Sequence, residues 1–152
     1  MRTSTVAYEA EGWGVGKVWV DGDRLLHHEL PRPGAEPAAG SHPLAARLQA
    51  YFAGADESFD DVALDGDGET SFQRAVADTL RSIPRGETVT YGELAALAGY
   101  PNAHRAAGTV CARNRFPILV PCHRVIAADG LGRFGELGAV YKQRLLALER
   151  TN

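Results

Sequence analysis

Cysteine is scarce: the 152 residues hold two, Cys111 and Cys122. Two thiols cannot build a disulfide framework. Neither they nor the five histidines show the Cys-x-x-Cys or His-x-x-x-His spacing of a zinc site. Long apolar runs are also missing. Those present, such as residues 94–98 and 118–120, fall far short of the roughly 20 residues a membrane-spanning helix needs. Residues 1–10 lack the basic head and apolar stretch of a secretory leader, and no repeat or low-complexity tract is visible. These absences exclude a disulfide-stapled secreted protein, a helical membrane protein and a disordered chain. What is left is a globular chain, 45% hydrophobic, able to bury about two-thirds of its unfolded surface. It is expected to be cytoplasmic and to form one domain or two small lobes.

Acid is missing from one long stretch. Between Glu93 and Asp129 there is none, while Arg105, Arg113, Arg115 and Arg124 all fall there. Up to Gly68 the chain has 5 basic against 12 acidic residues, a balance of -7; from Glu69 onward 11 against 7 give +4. The basic half can receive a polyanion or can be an ordinary solvated face, and charge alone leaves both open.

The first third reads as β-rich, with a strand-like run over residues 15–20 and an Asp21-Gly22 turn before Leu25 and Leu26. Residues 31–43, with four prolines and two glycines, read as a loop. Leu44, Leu48, Tyr51 and Phe52 recur at helical spacing over residues 43–53. A strand over residues 59–64 and an acidic, Gly-rich linker follow. Asp65, Asp67 and Glu69 hint at a calcium loop, but its sixth position is Thr70 and its twelfth Val76, which rules it out.

Past the linker, Phe72, Val76, Leu80 and Ile83 mark a helix ended by Pro84-Arg85-Gly86. Thr90-x-x-Glu93 is a capping box opening a helix to about Ala98. Asn102 is placed to cap a third helix running to about Arg113. That order is the helix-turn-helix plan, shared by DNA-binding and other helical domains alike. Residues 117–121 read as a buried extended run delivering Cys122-His123-Arg124, and a last helix over 140–150 carries Tyr141, Leu145 and Leu148 on one face.

Cys122 beside an imidazole and a guanidinium suggests a thiol biased towards thiolate by nearby positive charge. Successive strand residues face opposite ways, so contact between the Cys122 sulfur and His123 needs a turn or a bridging water. The same pair also fits a small buried thiol next to a hydrogen-bonded core histidine.

The segment Pro121-Cys122-His123-Arg124-Val125 resembles the signature of the O6-alkylguanine-DNA alkyltransferases, also called methylated-DNA–protein-cysteine methyltransferases. The resemblance extends in order through Phe72-Gln73-x-x-Val76, Ile83-Pro84-x-Gly86-Glu87-x-x-x-Tyr91-Gly92-x-Leu94-Ala95, Arg105-Ala106-x-Gly108-Thr109, Arg113-Asn114 and Lys142-x-x-Leu145-Leu146-x-Leu148-Glu149. It implies an α+β protein in two lobes. Residues 1–68 would be a small ribonuclease-H-like lobe, a short antiparallel sheet plus helix. Residues 69–152 would be a winged-helix-like lobe that binds DNA and holds the site.

The resemblance further implies irreversible, stoichiometric transfer of an alkyl group from O6-alkylguanine, with O4-alkylthymine as a second substrate, onto Cys122. His123 would draw the thiol proton through a water, and Glu149 would orient the imidazole. Tyr91 and Lys142 would assist the leaving guanine. Arg105 would fill the space of a flipped nucleotide, while the small Ala106 and Gly108 let the helix approach the minor groove of double-stranded DNA. Tyr91, Arg113 and Arg115 are also expected at the DNA. Asn114, Pro121, Arg124, Val125 and Phe134 would support the site. No cofactor or metal is implied, and no cysteine precedes Cys111 to hold a zinc. A monomer is expected.

The chain also departs from the family pattern. Arg115 stands where many relatives have proline, and Cys111 where many have asparagine, either as a passive core thiol or as a second acceptor. The run Gly130-Leu131-Gly132-Arg133-Phe134-Gly135-Glu136-Leu137-Gly138 alters the loop that walls the guanine pocket. Two rival readings are an alkyltransferase-like protein that flags damage without transfer, and a Cys-His hydrolase passing through a thioester.

Overall fold

Alternating residues lock the first sheet together. Val6, Tyr8 and Ala10 face the core from β1 (Thr3–Ala10), and Val18 and Val20 from β2 (Gly14–Asp21). Gly16 lies opposite Tyr8 in the antiparallel register. A Cβ there would fall 2.6 Å from the Tyr8 ring and hydroxyl, so only glycine admits the tyrosine. The Asp21-Gly22 turn leads into β3 (Arg24–Arg32), antiparallel to β2 with two irregularities in register. In this computed structural model residues 3–34 and 37–150 are described. Residues 35 and 36, within the predicted 31–43 loop, lie outside them, as do 1–2 and 151–152. Helix α1 (Pro43–Phe52) starts at His42, whose ring accepts from the Leu44 amide. Its Leu44, Leu48, Tyr51 and Phe52 are buried.

The strand predicted over 59–64 shrinks to β4 (Ala63–Leu64), parallel to β3. Arg47 explains the difference. Its guanidinium donates to Glu57, to both oxygens of Asp61 and to the Ser58 carbonyl, so the chain wraps around it instead of joining the ladder. Phe59 is buried with that guanidinium 5.2 Å from its ring centre.

Capping chemistry sets the helices of the second half. Thr70 and Gln73 form a capping box at α2 (Ser71–Ser82), and Thr90 and Glu93 form one at α3 (Tyr91–Leu97). The predicted Asn102 cap is not there. Asn102 takes a left-handed φ of 73°, which asparagine tolerates better than most residues. Ala103 occupies the cap position of α4 (His104–Ala112) without a side-chain bond.

The apolar run 117–121 is buried from Ile118 onward, with Pro117 half-buried, but is not extended. It turns, with Ile118 at φ 76°, and runs into a single 3-10 turn at Cys122–Arg124. The strand, β6 (Val125–Ile126), follows the cysteine instead of preceding it, and pairs in parallel with β5 (Val89–Thr90). Helix α5 (Gly138–Arg150) closes the described chain, with Leu148 half-buried and Lys142 and Glu149 on the buried side.

These elements fall into two compact units. The first lies within Met1–Asp65 and takes in Arg115–Pro117; the second lies within Gly66–Asn114 and Ile118–Thr151. No helix among the described residues is long and apolar enough to cross a membrane.

The first unit buries a histidine. The Pro117 carbonyl can only accept, so His28 donates to it from Nδ1 at 2.7 Å. Nε2 then accepts from the Tyr8 hydroxyl at 2.6 Å. Burial pushes the His28 pKa down to about 4, the bond to Pro117 opposing and His27 adding to the fall. A depressed histidine stabilises the fold fully above its unfolded pKa of about 6.5 and loses that contribution as pH falls towards 4. The loss is on the order of 3 kcal/mol. Melting temperature is therefore expected to drop between pH 6.5 and 4. His27 and His123, also lowered chiefly by burial, add slopes of the same sign. The His28 share is the part of the slope that His28→Asn removes in melts across that range.

Candidate active site

The second unit assembles the site around the 3-10 turn. The Cys122 amide bonds back to the Val120 carbonyl at 2.8 Å, and the Arg124 amide to that of Pro121 at 3.0 Å. This turn supplies the change of direction that an extended Cys-His pair lacks. Asn114, just past α4, donates from its side chain to the Val120 carbonyl at 2.7 Å and also hydrogen-bonds the Cys122 sulfur. Pro121 and Val125 are buried on either side of the turn.

Behind the turn lies a buried ionic triad. His123 Nε2 is 2.7 Å from Glu149 Oε2. Arg124 donates to both oxygens of the same carboxylate, at 2.9 Å and 3.0 Å, and to the Ile83 carbonyl at 2.6 Å. Burial works to raise the Glu149 pKa. The hydrogen bonds and charges of His123 and Arg124 outweigh it and hold the carboxyl well below the usual range. An ionised carboxylate only accepts, so Nε2 carries the proton of neutral His123. Nδ1 is then a buried lone pair without a protein hydrogen bond, the atom at which this imidazole can act as a base.

The expectation that flanking charges turn Cys122 into a thiolate is corrected by this geometry. Arg124 is committed to Glu149 and Ile83. Burial raises the Cys122 pKa, opposed by the Asn114 hydrogen bond and the Lys142 charge. Burial likewise lowers His123. The resting site thus holds a thiol and a neutral imidazole, and any thiolate formed is stabilised by Asn114 and Lys142.

Lys142 is fully buried, not an exposed helix residue. Its pKa is lowered by burial, with Cys122 and Cys111 working the other way. Its ammonium lies 5.8 Å from the Tyr91 ring centre and donates to the Arg133 carbonyl at 3.4 Å. Tyr91 is the first residue of α3, half-buried, and its pKa is raised by burial and by Cys111 and Cys122. Two glycines fit around its ring. A Cβ on Gly132, whose φ is 76°, would come within 3.3 Å of it, and one on Gly108 within 3.8 Å. Gly132 was not singled out from the sequence; only the glycine-rich run hinted at a close approach. Phe134 stacks on Tyr141, ring centres 6.1 Å apart.

Along α4, Arg105, Ala106 and Arg113 are exposed and Gly108 is half-buried. Arg115 belongs to the first unit. There its guanidinium donates to the Asp65 carbonyl at 2.8 Å, to the Asp65 side chain at 3.4 Å and to the Leu26 carbonyl at 3.3 Å. The Arg124 clamp on Glu149 also escaped the sequence reading, since nothing in the spacing pairs residues 25 apart. Cys111 is pushed up to about 12 by burial and by Cys122, against the pull of Lys142. Its thiolate fraction at neutral pH is therefore about one in 10⁵. Among the described residues no group of three or more His, Cys, Asp or Glu side chains could hold a metal ion.

A buried thiol, a neutral imidazole base and a carboxylate behind it define a cysteine-nucleophile site. The family model for the 6-O-methylguanine DNA methyltransferase DNA-binding domain matches residues 71–151. The methylated-DNA–protein-cysteine methyltransferase of Methanopyrus kandleri is 45% identical over 129 residues, covering 82% of this chain and 95% of that protein. The Mycobacterium tuberculosis protein of the same name is 46% identical over 125 residues, covering 82% and 71%. The crystal structure of M. tuberculosis O6-methylguanine methyltransferase superposes with a TM-score of 0.80 at 34% identity, covering 97% of this chain and 94% of that one. A second, of the M. tuberculosis protein in complex with DNA, gives 0.79 at 36% identity, covering 99% and 94%. The chain belongs to the O6-methylguanine-DNA methyltransferase family.

Proposed function

We propose that this protein repairs DNA by direct reversal, moving the alkyl group of O6-alkylguanine onto its own Cys122, once per molecule. The observation that carries this reading is the buried Cys122 thiol held by Asn114, in the turn where His123 keeps a free Nδ1 backed by Glu149 and Arg124. The thiol proton passes to Nδ1, directly or through water, and the imidazolium is stabilised by Glu149. The sulfur attacks the alkyl carbon, a C–S bond forms and the C–O bond breaks. The electron pair leaves on guanine O6, where the Tyr91 hydroxyl and the Lys142 charge stabilise it, and the base takes up the proton that began on the thiol. A thioether is not hydrolysed by water, so the protein is consumed.

The target base sits inside a duplex and must be flipped out. The exposed Arg105 at the start of α4 suits the role of filling the gap, and Ala106 and Gly108 keep that helix slim for the minor groove, where readout is degenerate. A winged-helix-like description of residues 69–152 and a ribonuclease-H-like one of residues 1–68 fit this reading. So do a cytoplasmic location and a monomeric state. O4-alkylthymine offers a similar leaving oxygen and is proposed as a second substrate.

The test is intact and peptide mass after mixing the protein with excess duplex holding one O6-methylguanine. The expected result is a gain of one methylene on Cys122, saturating at one per chain. Tight binding without a mass gain would replace this reading with damage flagging, and repeated turnover would replace it with a hydrolase.

A further inference from the structure

The segment that leads to Cys122 is held by residues that play no part in the transfer described above. Between Asn114 and Ile118 the chain joins the first unit. His28 grips it twice: its backbone amide donates to the Arg115 carbonyl at 2.9 Å, and its ring Nδ1 to the Pro117 carbonyl at 2.7 Å. The ring is 1% exposed, and its other nitrogen accepts from the Tyr8 hydroxyl. Placing a polar ring in a sheet interior is unfavourable, as its lowered pKa records. An apolar side chain would serve the core of the first unit better, so the ring is explained by what it holds.

The turn after Pro117 needs holding. Ile118 is β-branched and sits at φ 76°, a conformation that persists only where the surroundings impose it. Upstream the imposition comes from His28 at Pro117; downstream it comes from Asn114 at the Val120 carbonyl, to which the Cys122 amide also bonds. The turn presenting the thiol thus has one polar clamp on each side, and only the downstream one belongs to the second unit.

We propose that His28, its ring held by Tyr8, is a positioning residue for alkyl transfer: it fixes the Pro117 carbonyl and with it the strained turn that presents Cys122. This inference rests on the transfer reading above. Its test separates the rate of transfer from DNA affinity, using single-turnover kinetics on an O6-methylguanine duplex and a binding titration on the same DNA.

His28→Leu is expected to slow transfer about ten- to a hundredfold, the cost of a small misplacement of a reacting group, with affinity unchanged. His28→Asn puts an amide nitrogen where Nδ1 stands and is expected to restore most of the rate. Should His28→Leu fail to fold, Tyr8→Phe keeps the ring packing, removes the hydrogen bond that holds the imidazole from its far side and is expected to give a smaller loss of rate at unchanged affinity. Transfer by a folded His28→Leu, or by Tyr8→Phe in its place, at the rate of the unaltered protein would overturn the inference. So would a His28→Asn variant as slow as His28→Leu at equal melting temperature, which marks a merely structural role. Absence of transfer by the unaltered protein would overturn the functional reading, and this inference with it.

Discussion

Cys122→Ser is expected to abolish methyl transfer while leaving affinity for an O6-methylguanine duplex unchanged. The replacement differs by one atom at a buried position, so the turn, the Asn114 hydrogen bond and the exposed face of α4 are all retained. What is lost is acidity and nucleophilicity. The groups around the sulfur only partly offset the effect of burial on a thiol, and an alcohol starts several units higher. The introduced hydroxyl would stay protonated throughout, and the rate is expected to fall by at least about 10³. Cys111, whose pKa burial raises to about 12, is expected not to stand in for the lost thiol. Fluorescence anisotropy on labelled duplex and mass after prolonged incubation read the two halves of this expectation. Methyl found on Cys111 in the variant would overturn the assignment of Cys122 as acceptor.

Glu149→Gln is expected to have the second largest effect, on rate and stability together. The carboxylate accepts from His123 and twice from Arg124 and is fully buried. A glutamine of the same shape can still accept from His123, but it leaves the Arg124 guanidinium without its counter-charge. Breaking one partner of a buried pair typically costs about 3–5 kcal/mol, which for a chain of this size is a fall of melting temperature on the order of 10 °C. The imidazolium formed on deprotonating Cys122 also loses the charge that stabilises it, so transfer is expected to slow by about 10²–10⁴. Differential scanning calorimetry and single-turnover kinetics measure the two. Transfer within about threefold of the unaltered protein would mean that the imidazole works without an ionised neighbour.

The sequence was most legible where local chemistry decides the structure. The Thr90-x-x-Glu93 pattern located α3 because both halves of its box lie within one turn of helix. The spacing of Leu44, Leu48, Tyr51 and Phe52 located α1 to within a residue of its end. Where two local preferences compete, it was not. Asn102 could cap a helix or turn left-handed, and it turned. Apolar residues 117–121 signalled burial correctly and shape wrongly, because a buried turn and a buried strand share a composition. The strand reading of 59–64 failed against Arg47, a partner from another element that no window of six residues contains. Pairing was equally hidden: nothing local joins Val89 to Val125, or Glu149 to Arg124. The site residues themselves were legible only through their resemblance to a family. Adjacent charges alone pointed Arg124 at the wrong atom.

The excursion of Arg115–Pro117 into the first unit bears on how such a protein can be taken apart and reassembled. A cut at residue 65 yields a C-terminal piece carrying three residues whose partners, His28, Leu26 and Asp65, stay with the other piece. Phe116, buried in the intact chain, would be left as an apolar side chain without its neighbours. Chimeras that exchange the first 65 residues with those of a relative inherit the same mismatch, unless the three-residue stitch is exchanged along with them.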